Sequence, residues 1–113
     1  MPDAGPLEAA LAEGLTDYRA GRFWNAHHTW ELAWRRLDSA ERRWVQGLIM
    51  LSAAALHAER GRRGPAVRLL RRASQLLEGF TGARALALPV DLAARARAAA
   101  EATELPNPPV LLG

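Results

Sequence analysis

His27 and Glu31 are the residues of this sequence best placed to do chemistry, because they lie four positions apart. On a helix, that spacing puts both side chains on one face. An imidazole beside a carboxylate can ligate a metal ion or act as an acid–base pair. Alternatively, His27 is a core histidine oriented by the carboxylate, or Glu31 pairs with Arg35 on the surface. The apolar surroundings of His27 favour a structural role and leave the metal or enzymatic role open.

Polar residues that could join this pair follow later in the chain, at Gln46 and His57. The helix that contains His27 and Glu31 and the helix that contains Gln46 and Met50 are joined by a short turn. If they run antiparallel, Glu31 lies near Gln46 and His27 near Met50. His57 then falls about two turns beyond His27, a distance on the order of 10 Å. This distance favours a Glu31–Gln46 hydrogen bond over a three-ligand metal site, and we predict no cofactor. The predicted pocket comprises His27, Trp30, Glu31, Trp34, Gln46, Gly47 and His57.

Four tryptophans cluster in the first half of the chain. Trp30, Trp34 and Trp44 fall on apolar stripes and are expected in the core. Trp24 lies off the stripe, so it either covers the first helix or belongs to an exposed aromatic patch that binds a partner. The sequence favours packing for Trp24.

The chain is basic, with a net charge of +3, and all of its 15 basic residues are arginines. Arg62, Arg63 and Arg68 are candidates for binding phosphate, since two of them precede the fourth predicted helix, where backbone amides are free. No aromatic residues are interleaved with these arginines, and no nucleic-acid motif is present. We therefore expect a solvated helix face and consider nucleic-acid binding the weaker hypothesis.

Several classes of function find no support in the sequence. Without cysteine, no disulfide, thiolate or cysteine-ligated metal site can form. The sequence contains no glycine-rich phosphate loop, no Gly-x-Ser-x-Gly motif and no His-Glu-x-x-His motif. No signal-peptide pattern opens it, and no apolar run reaches the length of a membrane span. We expect a cytoplasmic protein without a membrane partner.

Apolar residues recur at helical spacing throughout, which predicts an all-α protein. We expect a compact bundle of about five helices built from two helix–turn–helix hairpins. Gly21 and Gly61 are expected to end helices, and Asp38 with Glu41 is expected to cap one. Residues 1–104 are predicted to form one domain and residues 105–113 a proline-rich tail that is not helical. The predicted helices span residues 6–20, 22–37, 40–60, 64–79 and 89–103.

Two segments share a spacing of small and bulky residues that is similar to the second helix of a tetratricopeptide repeat. Their alanine anchors, Ala26 and Ala66, lie 40 residues apart, and two units are fewer than a solenoid needs. We therefore expect a closed bundle. The two segments contain Gly21, Phe23, Ala26, Trp30 and Ala33, and Gly64, Ala66, Leu70 and Ala73.

The run from Gly21 to Trp34, followed by Val45–Ile49, Ala53–His57 and Gly61–Ala73, resembles the domain of unknown function 309 family of bacteria and archaea. The resemblance covers roughly residues 15–80. It implies an α-helical bundle with no established activity. The sequence departs from the family pattern at Asn25 and His28, which replace glutamates, and at Met50, which replaces a glutamine. The matching polar and glycine positions are His27, Glu31, Gln46, Gly47 and His57.

Three functions remain as hypotheses from the sequence. The leading one is a non-catalytic helical interaction module, with a protein partner or a second copy bound through the tryptophan-lined hairpin or the amphipathic fourth helix. The second is a small metal-binding protein or enzyme that uses His27 and Glu31. The third is nucleic-acid or phosphate binding through the face from Arg60 to Arg72.

Overall fold

The computed structural model describes residues 5–37, 39–79, 88–89, 91–105 and 111–112. These residues form five helices and no strand, which confirms the predicted all-α bundle. Consecutive helices pack against each other, so each helix is held mainly by its neighbours in the chain. The helices are α1 (Gly5–Arg19), α2 (Phe23–Trp34), α3 (Ser39–Glu59), α4 (Arg63–Leu76) and α5 (Leu92–Glu101).

The two hairpins, α1–α2 and α3–α4, are closed by the same kind of turn. Gly21 and Gly61 have φ angles of +84° and +70°, which favour glycine. Behind Gly21, the amide of Arg22 donates to the carbonyl of Asp17 at 2.8 Å. Behind Gly61, the amide of Arg62 donates to His57 at 2.9 Å. These bonds satisfy carbonyls at the ends of α1 and α3 and confirm the predicted helix stops.

A single apolar core draws on all five helices. Trp30 and Tyr18 are its largest fully buried side chains, and α5 contributes Leu92 and three alanines. The predicted stripes of α2 and α3 are mostly buried, because their residues recur on the faces that meet the neighbouring helices. Buried members of these two stripes are Phe23, Ala26, Trp30, Trp44, Val45, Leu48, Ile49, Leu51 and Ala55.

At Gly47, α3 passes close to the end of α4. A Cβ atom built on Gly47 would lie 2.6 Å from Cγ of Leu77, a separation that real Cβ atoms do not show. The helices can therefore pack at this distance only because position 47 has no side chain. Gly47 is thus a site of close helix approach.

The observed helices are shorter than the predicted ones at several ends. α2 ends at Trp34 rather than at Leu37, because the chain tightens there: the amides of Arg36 and Leu37 bond three residues back, to Ala33 and Trp34. α5 occupies residues 92–101 rather than 89–103. The expected cap residue Asp38 lies outside the described residues.

The prediction that the whole tail after Leu105 is non-helical is wrong at two residues. Leu111 and Leu112 have helical backbone. The prolines on which the prediction was based all precede these two residues in the sequence. Leu112 is fully buried, and its carbonyl accepts a 2.7 Å hydrogen bond from Nη2 of Arg19. The C-terminal residues thus reach the core beside α1.

None of the helices in the described ranges is both long and apolar enough to cross a membrane.

Candidate functional site

His27 is a residue of α2 whose side chain faces α3, and each of its ring nitrogens has a polar neighbour. Its Nδ1 is 3.1 Å from Oγ of Ser52 on α3, and its Nε2 is 4.0 Å from Oε2 of Glu31. The His27 side chain is 22% exposed and that of Glu31 is 42% exposed. The predicted pairing of His27 with Glu31 on one face of α2 is therefore present, but its second partner is a serine.

The hydroxyl of Ser52 determines which way the first of these bonds runs. Ser52 Oγ donates its single proton to the carbonyl of Ile49 at 2.6 Å. It can therefore only accept from His27, and Nδ1 must carry the proton. The second ring nitrogen, Nε2, makes no hydrogen bond to Glu31, because their separation of 4.0 Å is too long for one.

Glu31 does not pair with Gln46 as the antiparallel register suggested. Its carboxylate faces His27 on one side and Nη2 of Arg35, at 3.8 Å, on the other. The Arg35 contact is the i,i+4 surface pair that the sequence offered as an alternative. One contact is with a residue of α2 and the other with the residue directly after it, so Glu31 does not tie α2 to α3.

Trp24 lies on the solvent-exposed side of α2. It is 63% exposed, so the prediction that it packs on the bundle is wrong. The physical reason is its position on the helix, opposite the stripe of Phe23 and Trp30 that faces the core. The indole lies nearly parallel to His27 (centroids 6.1 Å apart, planes at 11°) and close to His28 (6.2 Å, 26°).

Trp30 and Trp34, which the sequence placed in the same pocket as His27, have packing roles instead. Trp30 is fully buried and donates to the carbonyl of Leu11. Trp34 is half-buried, and the guanidinium carbon of Arg42 lies 3.8 Å from its ring centroid. This is a cation–π contact that covers the indole from the solvent side.

The surroundings of two further members of the predicted pocket, Gly47 and His57, are defined. Gly47 faces Leu77, the residue directly after α4. His57 is half-buried, and its Nδ1 is buried without a hydrogen-bond partner. Within the ranges that the structure describes, no three histidine or carboxylate side chains come together to hold a metal ion. His27 and Glu31 thus remain a two-residue pair.

The candidate phosphate-binding arginines are divided between two environments. Arg63 and Arg68 line an open cavity between the start of α4 and α5, together with Arg71. Arg63 also donates a 2.6 Å hydrogen bond to the carbonyl of Ala102, so part of its donor capacity serves the packing of α5. Arg62 precedes α4, is exposed and does not line the cavity.

Ser52 is the polar residue of this site that sequence reasoning missed. It lies in an otherwise apolar stretch of α3 and matches none of the spacings considered for a site. A signal was present, because a lone hydroxyl among fully apolar neighbours needs a hydrogen-bond partner. The predicted antiparallel register placed His27 near Met50, which is two residues from Ser52.

A comparison with models of protein families identifies the family of this chain. The family model described as Domain of unknown function (DUF309) matches residues 11–69. The chain belongs to this family. The DUF309 match includes α2 and α3 entire, and therefore Trp24, His27, Glu31 and Ser52. No curated protein and no solved structure matches the chain.

Proposed function

We propose that this DUF309 protein is a non-catalytic interaction module that binds a protein partner through the outer surface of α2. This surface, called here the α2 outer surface, consists of Trp24, His28, Glu31, Leu32 and Arg35. The observation that carries the proposal is the exposure of Trp24 and Leu32. At 63% and 47%, they are the exposed large hydrophobic side chains of the described residues, and both belong to one helix.

Trp24 has the properties of a binding anchor. Tryptophan is enriched among the residues that dominate binding energies, because a single indole buries a large apolar area. Here the two flanking imidazoles, His27 and His28, already hold the ring in place. An anchor that is ordered before binding loses less conformational entropy when the partner arrives. Charged side chains at Glu31 and Arg35 supply the polar rim expected around such an anchor.

The geometry at His27 supports a structural role more than a catalytic one. A serine, a histidine and a carboxylate in contact suggest an activated nucleophile. Ser52, however, has no exposed surface and gives its proton to Ile49. A substrate cannot reach this hydroxyl, and His27 cannot take its proton. The hydrogen bond instead joins α2 to α3 directly behind Trp24 and holds the outer surface in shape.

Site-directed photo-cross-linking tests the proposal. Because the chain has no cysteine, Asn25→Cys provides one thiol for a benzophenone label, exposed on α2 beside the α2 outer surface without replacing one of its residues. Ala94→Cys, exposed on α5, provides the matched control. After illumination in extract of the cells that naturally contain the protein, we expect one discrete protein adduct from position 25 and none from position 94. Adding Trp24→Ser should abolish it.

Two results would contradict the proposal. The first is the absence of any adduct from position 25, and the second is an adduct that survives Trp24→Ser unchanged. The mass of the adduct carries separate information, because it identifies the partner as this chain or another protein. As a check on the enzymatic hypothesis, metal content and fold are compared for the wild type and His27→Ala. Stoichiometric metal lost with the fold intact would favour the alternative function.

A further inference from the structure

We infer that the cavity between α4 and α5 binds a small molecule that carries a diphosphate group, held by Arg63, Arg68 and Arg71. The site is formed by other helices than the α2 outer surface, so the inference stands independently of the proposed function. It is carried by two guanidinium groups that line this one cavity, those of Arg68 and Arg71. Neither has a hydrogen-bond or ion-pair partner within the residues that the structure describes.

The lack of a partner distinguishes Arg68 and Arg71 from the arginines of the neighbouring helix. The described residues that line the cavity include no carboxylate, and the lining beside the arginines consists of Gly64, Val67 and Ala100. Arginine binds phosphate oxygens through two parallel hydrogen bonds, and unpaired guanidinium groups in a concave site are available for such bonds. Both arginines of α5, by contrast, form ion pairs with carboxylates: Arg95 with Asp91, and Arg97 with Glu78.

The start of α4 concentrates positive charge at the cavity. Arg62 and Arg63 occupy its first positions, and its first turn contains no acidic residue and no side-chain cap. Arg68 adds to this charge because its side chain folds back along the helix, so that its Nη1 lies 3.6 Å from the position of a Cβ atom built on Gly64. Positive charge at this end of a helix is unfavourable, and a bound anion would offset it.

Arg63 is held in place before any ligand arrives. Its Nη2 donates a 2.6 Å hydrogen bond to the carbonyl of Ala102, the residue directly after α5. A guanidinium group has five N–H donors, so others remain for a ligand. The bond also ties the start of α4 to the end of α5, and it therefore fixes the two helices that form the cavity.

The size and charge of the cavity indicate a diphosphate. Its volume of about 430 Å³ falls in the range of about 300–1,000 Å³ that is usual for small-molecule sites. A single phosphate monoester carries about 1.5–2 negative charges at pH 7. The three guanidinium groups that line the cavity exceed this charge, so two linked phosphates match them better than one.

An extended nucleic acid matches this cavity less well. Arg63 and Arg71 are eight residues apart, which is about 12 Å along the helix, whereas nucleic acids are bound by many phosphate contacts along a longer basic track. No aromatic side chain lines the cavity for base stacking. Glu101 and Glu104, exposed on either side of Ala102 in the chain, would repel further phosphates.

Isothermal titration calorimetry with inorganic pyrophosphate at low ionic strength tests the site. The wild type should bind one pyrophosphate per chain, and inorganic phosphate should bind at least about tenfold more weakly, because it loses a charged hydrogen-bonded contact. Arg68→Gln and Arg71→Gln should each weaken pyrophosphate binding at least about tenfold for the same reason. Both variants should fold, since neither side chain has a partner to lose.

Arg62→Gln is the matched control, because it removes the same charge at the same end of α4 from an exposed residue that does not line the cavity. It should leave pyrophosphate affinity within about threefold of the wild type, the size of an exposed charge effect. Pyrophosphate should also raise the thermal unfolding midpoint of the wild type and of Arg62→Gln, but not that of Arg68→Gln.

Three results would overturn the inference. The first is no saturable binding of pyrophosphate at millimolar concentration, and the second is an equal loss of affinity in Arg62→Gln and Arg68→Gln, which would indicate net charge alone. The third comes from fluorescence anisotropy with a labelled oligonucleotide. If the oligonucleotide bound more tightly than pyrophosphate and Arg68→Gln weakened its binding, the ligand would be a nucleic acid backbone.

Discussion

Trp30 donates a hydrogen bond from its indole Nε1 to the backbone carbonyl of Leu11, 3.1 Å away, and this bond joins α2 to α1 inside the core. The ring of Tyr18 lies beside the same indole at a centroid distance of 6.0 Å. A buried indole N–H needs an acceptor, so the bond fixes the ring against α1. Gly14, three residues after Leu11, leaves open the space that the indole occupies.

We predict that Gly14→Ala destabilises the protein by about 1–3 kcal/mol, the usual cost of overpacking a core. The added methyl group would overlap the ring of Trp30, which is fully buried and cannot move aside freely. Helix propensity alone acts in the opposite direction and would stabilise alanine by about 1 kcal/mol. Urea unfolding followed by tryptophan fluorescence measures the change in the free energy of unfolding.

Gly64→Ala is the matched control for that substitution. A Cβ atom at Gly64 would meet only Nη1 of Arg68, at 3.6 Å, which is ordinary van der Waals contact. This variant should therefore be neutral or slightly more stable than the wild type. Equal losses of stability at positions 14 and 64 would show that close packing against Trp30 is not the cause.

The stability of the protein should fall at alkaline pH because of Tyr18. Burial raises the pKa of the Tyr18 phenol well above its ordinary value. The unfolded chain releases this proton near pH 10, whereas the folded chain retains it. Stability is therefore fully present below about pH 10, and above it the free energy of unfolding falls by about 1.4 kcal/mol per pH unit.

Tyr18→Phe should remove this pH dependence. Tyr18 is the one tyrosine of the chain, which has no lysine and no cysteine, so no other side-chain type ordinarily titrates between pH 9 and pH 12. At pH 8 the variant should match the wild type within about 1 kcal/mol, because the buried hydroxyl has no hydrogen-bond partner to lose. Urea unfolding at pH 8, 10 and 11 tests both statements. A parallel decline in the variant would contradict them.

The fold could be predicted from the sequence because its signals are local. Apolar residues at helical spacing marked the faces that became buried, and Gly21 and Gly61 marked the ends of α1 and α3. Each of these signals depends on only a few consecutive residues. The ends of α2 and α5 were less well predicted, because the tightening of a last turn depends on how the chain continues into the next helix.

The candidate site was only partly predictable because it depends on how helices cross. Spacing correctly paired His27 with Glu31, which lie on one helix. The partner from α3 was missed, since a tilt between helices shifts the register by a residue or two, and Ser52 took the place expected for Met50. The exposure of Trp24 likewise depends on where α1 and α3 lie beside α2, which hydrophobicity alone does not reveal.

Ser52→Ala should destabilise the protein by about 1–3 kcal/mol, because it leaves the N–H of His27 without its acceptor in a half-buried position. Ser74→Ala is the control. Ser74 is also buried and also donates to a carbonyl three residues back, that of Arg71, at 2.7 Å. Thermal unfolding should show the larger loss for Ser52→Ala. Similar losses in the two variants would mean that the bond to His27 contributes little.

Leu112→Ala tests whether the C-terminal residues belong to the core. Leu112 is fully buried, and Arg19 holds its carbonyl. Removing a side chain from such a position leaves a cavity and typically costs about 2–5 kcal/mol. Leu111 is the same residue type in the adjacent position but is only half-buried, so Leu111→Ala should cost less. Urea unfolding of both variants gives the comparison. If Leu112→Ala unfolded at the wild-type midpoint, the buried contact near the C-terminus would contribute nothing to the stability of the bundle.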